Sequence, residues 1–178
     1  MQYLDKRGKK GLPFLYKILC IEKALSIQLH PNKVQAEQLF KEKPNIYADD
    51  NEKPEMFFTL TEFECLFGII NAEDLKKLMT IAPFSSLKSK DSENINEIIV
   101  ELLNFSLEER KILIDQAINN IGNVFPERNT LLKKLHEQFP YDEGILVSCL
   151  LKYKVIPPEK CFAIEAGVPH AYIKGTCL

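Results

Sequence analysis

Four side chains able to hold a metal ion sit in or beside apolar, strand-like segments. In Gln28-Leu29-His30 a period of two puts the amide and the imidazole on one face of a strand. Glu55 opens the apolar run Glu55 to Leu60 behind Lys53-Pro54, and His170 follows the Gly167-Val168-Pro169 turn at the head of the last strand. An amide oxygen, two imidazoles and a carboxylate suit a zinc ion that keeps one position open for water or substrate. Taken singly, each reads more readily as a polar residue on the solvent side of its strand. No cysteine belongs to the set, so none of the specificity of a paired-thiolate site is present. The residue types support a metal site and say nothing about a substrate. The third histidine, His136 between Leu135 and Glu137, reads as an exposed helix residue near a C-terminal end, where positive charge suits the helix dipole.

The elements that must position these groups fall into strands, then helices, then strands. Leu12 to His30 is apolar with alternating stretches, and Ser26 to His30 reads as strand until Pro31, which has no donor for a ladder. Asn32 to Lys43 predicts an amphipathic helix stopped by Pro44; Asn45 to Pro54 is polar loop, and Glu55 to Leu60 a strand. From Asn71 to Phe139 the pattern is helical. Asn71 caps a helix over Ala72 to Ile81, and Asn94 to Phe105 is a second. Ser106-Leu107-Glu108-Glu109 is a capping box opening a third, ended by Gly122, and Asn129 to Phe139 is a fourth. Their apolar stripes are most simply packing faces. After Pro140, Gly144 to Tyr153 and Lys160 to Glu165 read as strands about the Pro157-Pro158 turn, and Ala171 to Ile173 starts another.

Composition narrows the class. The chain has 178 residues, 46% of them hydrophobic, enough for a buried core. A net charge of −2 gives no electrostatic reason to expect nucleic acid or an anionic membrane. No apolar run approaches the ~20 residues of a membrane span, and Met1 to Gly11 is polar and basic with no signal-peptide core behind it. Five cysteines (Cys20, Cys65, Cys149, Cys161 and Cys177) form no C-x-x-C pair, and their odd number fits reduced thiols in a cytosolic protein. Four of the five have apolar neighbours and read as buried.

Around the four candidate ligands the sequence resembles a known family. Leu12 to Leu19 (Leu-Pro-Phe-Leu-Tyr-Lys-Ile-Leu), Lys23 to Pro31 (Lys-Ala-Leu-Ser-Ile-Gln-Leu-His-Pro), Lys53-Pro54-Glu55-Met56 and Gly167 to Tyr172 (Gly-Val-Pro-His-Ala-Tyr) resemble, in order, the hallmark blocks of the type I mannose-6-phosphate isomerases. The resemblance implies a mixed α and β chain. Residues 12–60 and 140–178 would form an incomplete, discontinuous cupin-type jelly-roll β domain, with an α-helical domain inserted at 61–139. It implies one zinc ion per chain, on Gln28, His30, Glu55 and His170. It also implies Lys53 in the active site, Ser26, Lys17 and Tyr172 in the substrate pocket, and a sugar phosphate as ligand. The reaction implied is the interconversion of mannose 6-phosphate and fructose 6-phosphate, in the cytoplasm, on the way to GDP-mannose, by a monomer when the chain is full length. That reaction moves a proton between C1 and C2 through an enediol, so a Lewis acid and a base within hydrogen-bond reach are needed. Lys53 either shares in the proton transfer or holds an anionic oxygen.

Departures from the pattern bear on activity. Glu52 stands where the family usually has histidine, Leu151-Lys152-Tyr153 where it has Leu-Asn-Tyr, and Pro158-Glu159 where it has a Pro-Gly turn. The chain is expected to be an internal, truncated portion, since the block that carries the family's arginine has no counterpart before Leu178. An open jelly roll exposes strand edges. The alternative expectation is therefore a non-catalytic cupin-like protein that binds metal and sugar phosphate. A helical interaction module on a β scaffold is a third reading, and the intact ligand set argues against it.

Overall fold

The computed structural model describes residues 14–178. The basic stretch 1–11, and Leu12 and Pro13 of the first block, lie outside the described residues. Elements follow one another as β1 (Leu19–Ile21), α1 (Lys33–Glu42), β2 (Glu55–Phe58), β3 (Phe63–Ile69), α2 (Ala72–Leu78), α3 (Ile95–Leu103), α4 (Leu107–Asn120), α5 (Arg128–Gln138), α6 (Gly144–Ser148), β4 (Leu151–Ile156), β5 (Cys161–Ile164) and β6 (His170–Cys177). The strands form a four-stranded antiparallel sheet in the order β1-β6-β3-β4 and a two-stranded antiparallel sheet, β2-β5. The mixed α and β class expected from the sequence is what the chain adopts.

The helix starts follow local chemistry. Asn32 and Ser106 each close a capping box, with Gln35 and Glu109 respectively, and Asn71 accepts from the Asp74 N–H. The helices then bury Leu78, Ile98, Leu102, Ile114 and Leu132 completely, in a core shared with one face of the larger sheet. Each such side chain contributes about 1.5–3 kcal/mol by leaving water.

Strand β6 divides the molecule. Ala171 and Ile173 face the helical core, while Tyr172 and Cys177 belong to a separate cluster with Phe57, Phe63, Cys65 and Ile164 between the two sheets. Gly175 makes this course workable. Its φ of +120° is one that side-chain-bearing residues rarely take, and a Cβ there would lie 2.5 Å from the Glu62 carbonyl oxygen. Before it β6 pairs with β3; from it onward β6 pairs with β1.

Several sequence expectations are corrected. Residues 63–69, assigned to the helical insertion, form β3, which pairs with both β4 and β6. Both of its faces are covered, with Leu66 in the helical core and Phe63 and Cys65 in the inter-sheet cluster, so its sequence lacks the polar alternation of a half-exposed strand. Gly144 to Tyr153 is not one strand: α6 occupies its first half, and β4 begins at Leu151. Ile145, Leu146 and Val147 are all buried, and a short, wholly apolar run cannot separate helix from strand by period. Of the Leu12 to His30 segment, the described residues 14–30 hold the three residues of β1 and an isolated bridge from Gln28 to His170. Helix α4 gives way at Ile121–Asn123 to a single tight 3₁₀ turn that contains Gly122. Cys20 and Cys161 are exposed, leaving three buried cysteines rather than four. His136 is half-buried, with its ring edge-on to Tyr141 at 4.7 Å, and is not the exposed residue expected. Glu159 takes φ +62°, the left-handed conformation that glycine favours, at the position where the resembled family has glycine.

Candidate metal centre

Backbone pairing brings the candidate ligands together. The Gln28 N–H donates to the His170 carbonyl (2.8 Å) and the His170 N–H donates back to the Gln28 carbonyl (3.0 Å). The Gly167 N–H donates to the His30 carbonyl at 2.8 Å. These three bonds fasten the 28–30 segment along the turn that precedes β6. Glu55, the first residue of β2, is held opposite Ile164 of β5. Pro54 before it needs no ladder donor, which suits the start of a strand.

His30, Glu55 and His170 converge, with one ligand atom from each lying within 4.8 Å of the others. His30 Nε2 lies 3.0 Å from Glu55 Oε1 and His170 Nε2 lies 3.5 Å from Oε2, the two imidazole centroids being 5.2 Å apart. His170 is buried, while His30 and Glu55 keep 17% and 19% of their side-chain surface, so the cluster has one covered side and one open side.

The protonation pattern suits a cation. His170 Nδ1 lies 2.9 Å from the Val168 carbonyl, which can only accept, so Nδ1 carries hydrogen and, in the neutral ring, Nε2 is left with its lone pair. That buried Nε2 makes no hydrogen bond and faces a carboxylate. Two acceptors turned toward each other call for a proton or a metal ion between them. Burial, reinforced by the Lys53 charge, holds the His30 imidazole below its ordinary range, which keeps it a neutral donor. Burial also acts downward on His170, but Glu55 and the Val168 carbonyl more than offset it and its pKa rises. The Glu55 carboxyl is held well below the usual carboxylate range, by His170 first and then, against burial, by Lys53 and Tyr172. On donor type, convergence and the orphaned nitrogen, the set fits a divalent metal of zinc's preferences.

The remaining sequence candidates divide. Lys53 Nζ lies 3.1 Å from Glu55 Oε1 and is 58% exposed, at the open side. The Tyr172 hydroxyl donates to Glu55 Oε2 at 2.9 Å from a buried position. Gln28 stands beside His170 through its backbone. Ser26, Lys17 and Glu52 are exposed and are not among the groups that touch Glu55. Two features escaped the sequence reading. The Val168 carbonyl sets the His170 tautomer, and only the Gly-Val-Pro turn two residues earlier hinted at it. Lys33, in the first turn of α1, reaches the Asp50 carbonyl (2.7 Å) and carboxylate (3.3 Å), tying down the loop that leads to Lys53. A contact between a helix and a polar loop 17 residues away leaves no local signal.

Comparison with known proteins bears on this arrangement. Residues 2–70 match the family model described as phosphomannose isomerase type I, catalytic domain. Mannose-6-phosphate isomerase 2 of Arabidopsis thaliana is 31% identical over 98% of this chain and 45% of its own length. The mannose-6-phosphate isomerase of Bos taurus is 35% identical over 94% of this chain and 45% of its own. The apo mannose 6-phosphate isomerase of Salmonella typhimurium superposes with a TM-score of 0.78 at 26% identity, over 90% of this chain and 45% of that one. A second structure of that enzyme, bound to fructose 6-phosphate and zinc, has a TM-score of 0.77 at 25% identity, over the same shares. The mixed α and β fold, with its cupin-type β part, is therefore the one these enzymes have. The chain spans just under half the length of the relatives it matches.

Proposed function

From its membership of the type I phosphomannose isomerase family, we propose that this chain carries the zinc-holding part of a mannose-6-phosphate isomerase. The observation that carries the reading is the convergence of His30, Glu55 and His170 within 4.8 Å, with the His170 Nε2 lone pair buried and unmatched. These three residues, with Gln28 as the fourth ligand, would hold one zinc ion. Bound there, zinc supplies Lewis acidity toward the negative charge that develops on the sugar oxygens as the proton moves between C1 and C2.

The chain's own groups do the rest. Lys53 places an ammonium at the open side, where an anionic sugar oxygen approaches. Ser26 and Lys17 are the further candidates for substrate contact, and both are accessible for it. His170, covered on one side by the inter-sheet cluster, keeps water from reaching the ligand cluster from behind. We place residues 14–60 with 140–178 in the β part and the helices from Ala72 onward in an inserted domain, with β3 returned to the sheet. Among the described residues no helix is long and apolar enough to cross a membrane. A cytosolic monomer acting on a sugar phosphate, upstream of GDP-mannose, is what the family likeness implies, and unpaired cysteines suit that compartment.

The test is direct. Zinc-loaded chain incubated with mannose 6-phosphate in D₂O should form fructose 6-phosphate and exchange the C2 proton, both read by NMR, and a chelator should stop both. Folded, zinc-loaded chain that does neither contradicts the catalytic reading. The exposure of Lys53 favours one second reading, a protein that binds metal and sugar phosphate without turnover. Perturbed sugar resonances without conversion would support it.

A further inference from the structure

Tyr172 sits two residues after His170 on β6, and the strand period puts both side chains on one face. Phe57 likewise follows Glu55 by two on β2. The tyrosine ring meets Phe57 edge-on at 5.4 Å and Phe63 at 5.5 Å, inside the inter-sheet cluster. It is 8% exposed. Packed between two phenylalanines, the ring has little freedom, and its hydroxyl is delivered to a fixed point. That point is Glu55 Oε2, at 2.9 Å.

The two oxygens of Glu55 are served differently. Oε1 faces His30 and the exposed Lys53; Oε2 faces His170 and the buried Tyr172 hydroxyl. A lysine 58% exposed holds its partner loosely, through a flexible and solvated stem. A phenol donating from within an apolar cluster holds its acceptor in one rotamer. A hydroxyl already engaged in this way, on a buried ring, is poorly placed to meet a sugar.

We infer that Tyr172 is a positioning residue: its hydroxyl fixes the Glu55 carboxylate in the orientation that faces both imidazoles, and it does not contact substrate. The role rests on the metal reading above, and it replaces the substrate-pocket assignment that the family resemblance implied for this residue. Such partners of a metal ligand typically contribute 10–100-fold in metal affinity.

The experiment is zinc titration of the whole chain against a chromophoric chelator, first unaltered, then as Tyr172→Phe and Phe57→Leu. Tyr172→Phe removes the hydroxyl and keeps the ring, and should weaken zinc roughly 10–100-fold with unchanged far-UV circular dichroism. Phe57→Leu loosens the packing and keeps the hydroxyl; its thermal midpoint should fall, and zinc affinity should fall by less than in Tyr172→Phe, since the hydroxyl can still reach the carboxylate. Mannose 6-phosphate affinity, measured by NMR on the metal-free chain, should be the same in Tyr172→Phe as in the unaltered protein. Equal zinc affinity in Tyr172→Phe would overturn the inference, as would a loss in Phe57→Leu as large as that in Tyr172→Phe. A selective loss of mannose 6-phosphate binding in Tyr172→Phe would restore the substrate role. Failure of the unaltered chain to bind zinc would remove the metal reading itself, and the role of Tyr172 with it.

Discussion

The two sides of β6 are built on opposite terms. On the helical side, apolar stripes from five helices and one sheet face close over Ala171 and Ile173, and three of the helix starts are capped by Asn71, Asn94 and Ser106. On the other side, His170 and Tyr172 face a smaller aromatic cluster that opens onto a carboxylate, two imidazoles and a lysine. Apolar side chains also remain in water there, with Met56 73% and Leu29 64% exposed. One strand of alternating residues thus belongs to a stability core on one face and a chemical site on the other. Substitutions on the two faces should therefore separate: unfolding should respond on the helical side, and metal affinity on the β side.

The largest expected effect on stability lies in the helical core. Leu132→Ala, at a wholly buried position on α5, should lower the unfolding free energy by about 2–5 kcal/mol in urea titration. Zinc affinity of the protein that remains folded should be unchanged; a parallel loss of both would show that the two faces of β6 are coupled. The mirror experiment is His30→Ala. It removes a ligand from a partly open position, so zinc affinity should fall by more than the roughly hundredfold seen for outer-shell partners. The unfolding free energy of the metal-free chain should change by less than ~1 kcal/mol, since no buried apolar volume is lost. A large destabilisation of the metal-free chain would show that the cluster is structural.

Smaller effects sharpen the boundary. Glu159→Gly, at φ +62° in the turn between β4 and β5, should stabilise the chain by about 1 kcal/mol by relieving the left-handed backbone, with zinc binding unaffected. Differential scanning calorimetry would detect it, and a fall in midpoint would contradict it. Lys53→Met should be the mildest. An exposed ion pair contributes under about 1 kcal/mol, so the midpoint should barely move, while zinc affinity should hold or rise slightly once a nearby positive charge is gone. Weaker zinc binding in this variant would mean that Lys53 orients Glu55 as strongly as Tyr172 does.

The same division decided what could be read from the sequence. Helices with a cap and a 3.6-residue stripe were visible, because cap and stripe are local: Ser106 with Glu109, and Asn71 before Ala72, stand where expected. Strands buried on both faces were not. Phe63 to Ile69 lacks a polar alternation because helices cover one face and the aromatic cluster the other, and Gly144 to Ser148 became helical through packing that no short window encodes. At the site, residue types suggested His30, Glu55 and His170, and the family resemblance ordered them. Neither could show that Val168 sets the tautomer of His170, or that Tyr172 turns inward to the carboxylate. The first depends on the backbone geometry of the turn before β6, and the second on Glu55 of β2 meeting Tyr172 of β6, residues more than a hundred positions apart in the chain.

The cluster of His30, Glu55 and His170 should take up a metal ion within the chain as it stands. Native mass spectrometry of the folded protein with added zinc, alongside His170→Ala, tests it most directly. We expect one zinc per unaltered chain and none retained by His170→Ala, with near-identical circular dichroism for both. Folded, unaltered chain that takes up no zinc, or His170→Ala that keeps it, would contradict the account.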